Sequence, residues 1–122
     1  MVRVLIAGAS SQESLKLSEQ AAHRFAGKRI LSELVAVHSE SQFWEKFSPG
    51  RYQGAVICFG DTKGFLCARR VWEADRNCRV VLIDDTDRYA IAGYRIHLKD
   101  FLLRPYEEKR LDAALDRLIE PY

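Results

Sequence analysis

The side chains most able to do chemistry stand directly behind apolar runs. Asp84 and Asp85 follow the four apolar residues Val80–Ile83, and Arg104 follows Phe101–Leu103. Such positions matter in an open parallel sheet, because loops and helix N-termini converge at the carboxyl ends of its strands. Other chemistries are poorly supplied. Cys58, Cys67 and Cys78 are odd in number and lack C-x-x-C spacing, and His23, His38 and His97 are scattered, which argues against a disulfide framework or a zinc site. Gly8-Ala9-Ser10-Ser11 superficially suits a dinucleotide loop, but Gln12 and Ser14 stand where glycines would have to admit a pyrophosphate. No metal and no cofactor is expected.

The elements that position these groups alternate. Val4–Ala7, Leu34–Val37, Ala55–Phe59, Val80–Ile83 and Phe101–Leu103 are short apolar runs with the character of buried parallel strands. Between them lie helical patterns: Leu17, Ala21 and Phe25 ending at Gly27; Phe43, Trp44 and Phe47 stopped by Ser48-Pro49-Gly50; Phe65, Ala68 and Trp72 after Gly64; Tyr89, Ala90, Ala92, Gly93 and Ile96; and a last stripe of Leu111, Leu115 and Leu118. Strand and helix alternating five times imply a parallel sheet covered on both faces. A chain of 122 residues suits one domain, 1–122. Its net charge of +2 is too small to imply a nucleic-acid surface, and no apolar run approaches the roughly 20 residues that span a bilayer. The expected setting is cytoplasmic, with neither nucleic acid nor membrane as direct partner.

Three strings carry a family resemblance. Asp87, Tyr89 and Ala90 after the fourth strand, Asp100–Pro105 and the Leu111–Leu118 helix resemble the receiver domain of two-component response regulators, most closely the branch joined to LytTR-type DNA-binding domains. The resemblance implies a flavodoxin-like (CheY-like), doubly wound α/β fold with a five-stranded parallel sheet in order 2-1-3-4-5 and a cis Arg104-Pro105 peptide. It also implies a site, and this sequence changes every member of it. The acidic pair that holds Mg²⁺ falls on Gly8 and Ala9, the phospho-accepting aspartate on Cys58, the Ser/Thr on Asp84 and the lysine on Arg104. Phosphoryl transfer depends on the metal, which is bound through carboxylates, so the expected module is a non-enzymatic pseudo-receiver.

Asp84 and Arg104 are expected to pair with each other and lock this degenerate pocket. Phe101 matches the aromatic that swings inward in activated receivers, or it is simply a buried strand residue. The surface such domains present to protein partners, or to a second copy, falls on Tyr94, Arg95, His97 and Lys99. Two other readings stay open. Arg104 could lower the pKa of Cys58 and make it a reactive thiol, and the small Gly8 and Ala9 could leave room for a small ligand.

Overall fold

Residues 1–120 are described by the structure, a computed structural model; the last two residues of the expected 1–122 unit lie outside the description. The strands are β1 (Val2–Gly8), β2 (Ser32–Val37), β3 (Gly54–Cys58), β4 (Arg79–Asp84) and β5 (Asp100–Leu103). They pair in parallel in the order β2-β1-β3-β4-β5, as expected. The helices are α1 (Ser11–Gly27), α2 (Glu40–Lys46), α3 (Asp61–Ala74), α4 (Ala90–Arg95) and α5 (Glu108–Ile119).

Strand alternation divides the core between two faces. Val4, Ile6, Val56, Cys58, Val81, Ile83 and Leu102 face Leu17, Ala21 and Phe25 of α1 and Leu111, Leu115 and Leu118 of α5. Leu5, Ala7, Ala55, Ile57, Val80 and Leu82 face the other way, against Phe43 of α2 and Phe65, Ala68 and Val71 of α3. Both faces of the central strands are covered, which is why these runs are apolar throughout.

Two helix starts are built alike. Ser10 Oγ accepts from Glu13 N–H at 3.1 Å while Glu13 Oε1 accepts from Ala9 N–H at 2.7 Å. Ser39 Oγ likewise accepts from Gln42 N–H at 3.1 Å while Gln42 Oε1 accepts from His38 N–H at 2.9 Å. These are capping-box exchanges that reach one residue further back than usual.

The structure corrects two boundaries and one surface. α3 begins at Asp61, so Asp61–Lys63 form its first turn where a loop is expected before Gly64. Gly60, at φ 84, makes the tight turn that permits this. α4 stops at Arg95, since His97 adopts φ 55 and redirects the chain. The sequence pattern puts Lys109, Arg110, Asp112, Asp116 and Arg117 on a solvated outer face of α5, but Arg110, Asp112, Asp116 and Arg117 are engaged within the chain. Asp116 binds Arg24 at 2.7 Å and Lys28 at 3.1 Å, and Arg110 binds Asp100 at 2.6 Å. The reason is that α5 packs beside α1 and over β5, so its flanks meet their charges. Burial pushes the Asp100 carboxyl up, but the Arg110 hydrogen bonds, the Phe101 amide and two guanidinium charges outweigh it and hold the group below its ordinary range.

Candidate functional site

The carboxyl ends of the strands carry two separate clusters, one on each face. On the α1/α5 face Arg104 leaves β5 and reaches across the sheet. Its Nη1 donates to Glu13 Oε2 at 2.9 Å, its Nη2 donates to Cys58 Sγ, and its Nε lies 3.5 Å from Asp85 Oδ1. Glu13 and Arg104 keep only 25% and 30% of their side-chain surface exposed, so this pair is stronger than an exterior one. Beside it a cleft of about 740 Å³ opens between α1 and the β5–α5 loop, bordered by Lys16, Gln20, Arg104 and Tyr106.

On the α3/α4 face the Asp84 carboxylate is 99% buried by residue exposure, at 1%. Its Oδ1 accepts from the backbone N–H of Asp61 at 2.9 Å and of Asp85 at 2.7 Å. Gly60 precedes α3 without a capping side chain, so Asp84 serves that helix as a cap from another strand. The β4–α4 loop is latched to α3 at three more points: Arg88 to Asp61 at 3.2 Å, Tyr89 Oη to Thr62 Oγ1 at 2.7 Å, and the Tyr89 ring stacked on Phe65 at 4.8 Å.

With these positions known, likeness to solved structures becomes informative. The chain superposes over its full length on the non-phosphorylated receiver domain of HemR from Leptospira biflexa, covering 97% of that domain with a TM-score of 0.78 and 16% identity. The chain has the receiver-domain fold. A signal receiver domain of a two-component histidine kinase from Clostridium thermocellum superposes with a TM-score of 0.76 and 16% identity, with 98% of each chain covered. In sequence, 39 residues are 46% identical to the transcriptional regulatory protein BtsR of Salmonella typhi; the match covers 32% of this chain and only 16% of that regulator. No protein-family model matches the sequence.

A receiver's metal does not fit the residues present. Gly8 and Cys58 are neighbours in the ladder and supply no carboxylate, and Ala9 supplies none. Of the carboxylates beside Arg104, Glu13 already spends one oxygen on Ala9 N–H and the other on Arg104, and Asp85 faces the Arg104 Nε at 3.5 Å. Among the described residues no group of three or more His, Cys, Asp or Glu side chains is placed to hold an ion.

The expected Asp84–Arg104 pair does not form. Asp84 lies beside Leu103 in the ladder, so these two share a face and Arg104, one residue on, turns to the opposite one. Only main-chain atoms join them, Arg104 N–H to Asp84 C=O at 2.9 Å. Of the five degenerate positions, Cys58 and Arg104 touch, Gly8 adjoins Cys58, and Asp84 belongs to the other cluster.

Glu13, the partner Arg104 chooses, is missed by reading strand ends alone. The signal for it was the Ser10-x-x-Glu13 spacing, which fixes the carboxylate at the start of α1. The room expected at Gly8 is also absent, because a Cβ there would come within 2.5 Å of Ser14 N and 2.9 Å of Ser14 Cα.

The reactive-thiol reading loses its support. Cys58 is 1% exposed, and burial pushes its thiol well up, the Arg104 charge offsetting only part of this. Cys67 and Cys78 are pushed up to about 12 by the same desolvation. Native protein at pH 8 should therefore resist iodoacetamide for a period that fully alkylates the urea-unfolded chain, as read by intact mass. Because the folded thiols titrate above the unfolded ones, their contribution to stability is complete below about pH 8.5 and declines above it. The urea midpoint should fall between pH 8 and pH 10.

Phe101 packs half-buried on the α3/α4 face. Tyr94 is 83% exposed and Arg95 is exposed beside it, whereas His97 stacks on Trp72 of α3 at 5.7 Å. Lys99 borders grooves on both sides.

Proposed function

We propose that the chain is a pseudo-receiver: a cytoplasmic, non-enzymatic module of a two-component or transcription-regulatory pathway that binds another protein and undergoes no phosphorylation. The observation that carries this reading is that Arg104, at the place of a receiver's phosphate-contacting lysine, already donates through both terminal nitrogens, Nη1 to Glu13 and Nη2 to Cys58. The acceptor place is itself a buried thiol. A phosphoryl group entering here would have to displace Glu13 and would find a thiol, not a carboxylate, at the acceptor place.

Asp84 gives the second half of the reading. A receiver's hydroxyl at this place contacts phosphate intermittently; the Asp84 carboxylate instead holds α3 and the β4–α4 loop together permanently. The module thus has one standing conformation, and partner binding follows its availability. The Asp87–Ala90 and Asp100–Pro105 strings favour the branch that precedes LytTR-type domains. The partner face is α4 with the start of β5, where Ile91 at 79% and Tyr94 at 83% exposure stand beside Arg95. Homodimerisation uses the same face.

Incubation with acetyl phosphate and millimolar Mg²⁺ should leave the intact mass unchanged. A phosphoryl adduct on Asp61, Asp84 or Asp85 overturns the reading.

A further inference from the structure

Near the end of α3 the Trp72 ring is contacted by the Arg76 guanidinium and by the His97 ring. The Arg76 guanidinium, from the turn that follows α3, lies 3.7 Å from the indole centroid, and the His97 ring stacks at 5.7 Å with an interplanar angle of 16°. Sequence periodicity assigns Trp72 to the buried stripe of α3, but the indole is only half-buried. It forms part of a cleft of about 280 Å³ completed by Cys78, Arg79 and Lys99. This cleft lies at the amino ends of β4 and β5, the opposite end of the sheet from Cys58 and Asp84.

The charged residues that line it are of one sign. Of the six lining residues, Arg76, Arg79 and Lys99 are cationic, His97 adds a ring nitrogen, and none is acidic. Neither Arg76 nor Lys99 forms an ion pair with a carboxylate among the described residues. Of the acidic groups close in sequence, Glu73 is engaged by Arg69 at 3.5 Å and Asp100 by Arg110 at 2.6 Å, while Asp75 accepts from the backbone N–H groups of Gly50 at 2.7 Å and Asn77 at 3.0 Å. Backbone bonds fix the geometry, since Lys99 N–H donates to Val80 C=O at 2.8 Å and His97 N–H to Tyr94 C=O at 3.3 Å. Arg76 and Lys99, like charges on one cleft with no carboxylate paired to either among the described residues, raise the local positive potential, which a bound anion relieves.

We infer that this Trp72–Arg76–Lys99 cleft is a docking site for an acidic segment of a protein partner, taking one Asp or Glu side chain between Arg76 and Lys99. The volume is below the ~300–1,000 Å³ usual for small-molecule sites, so it suits a single side chain. Trp and Arg are the residue types that anchor protein interfaces, and a guanidinium held over an indole is oriented in advance. A nucleic-acid strand fits less well, because these cations converge on one cleft and the chain carries a net charge of only +2. The site is remote from the Cys58 pocket and does not depend on the phosphorylation reading.

Trp44→Phe leaves Trp72 as the sole tryptophan reporter. Titrating this protein with acetylated hexaglutamate peptide should give a saturable change in Trp72 emission that weakens as salt is raised. Arg76→Glu with Lys99→Glu, both at exposed residues, should reduce affinity by at least about tenfold, near 1.4 kcal/mol. Lys63→Glu, at the other end of α3, should leave it unchanged. If the double reversal lowers folding stability, Arg76→Gln with Lys99→Gln removes the same charges and should show the same loss. The inference is overturned if no saturable signal is found, if the charge variants bind as the parent does, or if a single-stranded oligonucleotide of equal charge binds more tightly than the peptide.

Discussion

Gly8→Asp, which restores a carboxylate where a working receiver carries one, should cost about 3 kcal/mol or more and recover no metal binding. The Cβ alone would stand 2.5 Å from Ser14 N and 2.9 Å from Ser14 Cα, distances that require the backbone of α1 to move. α1 has little freedom to do so. Ser14 is buried, and Leu17, Ala21 and Phe25 anchor the following turns in the core. Ala9→Asp makes the contrast, since Ala9 is exposed and its substitution should stay within about 0.5 kcal/mol. Urea denaturation of the two variants measures the difference. A Gly8→Asp protein as stable as the parent would mean that α1 is not fixed against β1 as described.

The second large effect concerns Arg104. Paired with Glu13→Gln in a double-mutant cycle, Arg104→Met should show a coupling of about 1–2 kcal/mol. Gross attraction at this separation is about 6 kcal/mol for an effective dielectric of about 20, and desolvation of two partly buried charges removes most of it. The cycle of Arg104→Met with Asp84→Ala should give about 0.5 kcal/mol or less, because the side chains occupy opposite faces. Asp84→Ala alone should cost about 1–2 kcal/mol through loss of the α3 cap. It should also leave the Asp61 and Asp85 amides able to receive an added anion such as sulfate, seen as stabilisation of this variant alone. Equal coupling in the two cycles would refute the division into two clusters.

That division separates what the sequence could and could not determine. The apolar runs Val4–Ala7, Ala55–Ile57 and Val80–Ile83, alternating with helical stripes, were enough for the class of fold, and the strings around Tyr89 and Phe101 were enough for its strand order. That Gly8, Ala9 and Cys58 carry no carboxylate was equally visible, since it is a matter of residue type. Boundaries were less so: Asp61–Lys63 joined α3 because Gly60 could take a positive φ, a choice the residue types permit but do not compel.

The partners of the remaining charges were decided only in three dimensions. Asp84 and Arg104 each end a neighbouring strand, which made their pairing plausible, yet a strand's side chains alternate every residue and the ladder aligns Asp84 with Leu103. One step of register sends Arg104 to the α1/α5 face. There the capped first turn of α1 brings Glu13 from 91 residues away in sequence. The sequence determined which groups the site contains, but the register of β5 on β4 and the approach of α1 to Gly8 decided which of them meet, because both depend on packing between distant segments.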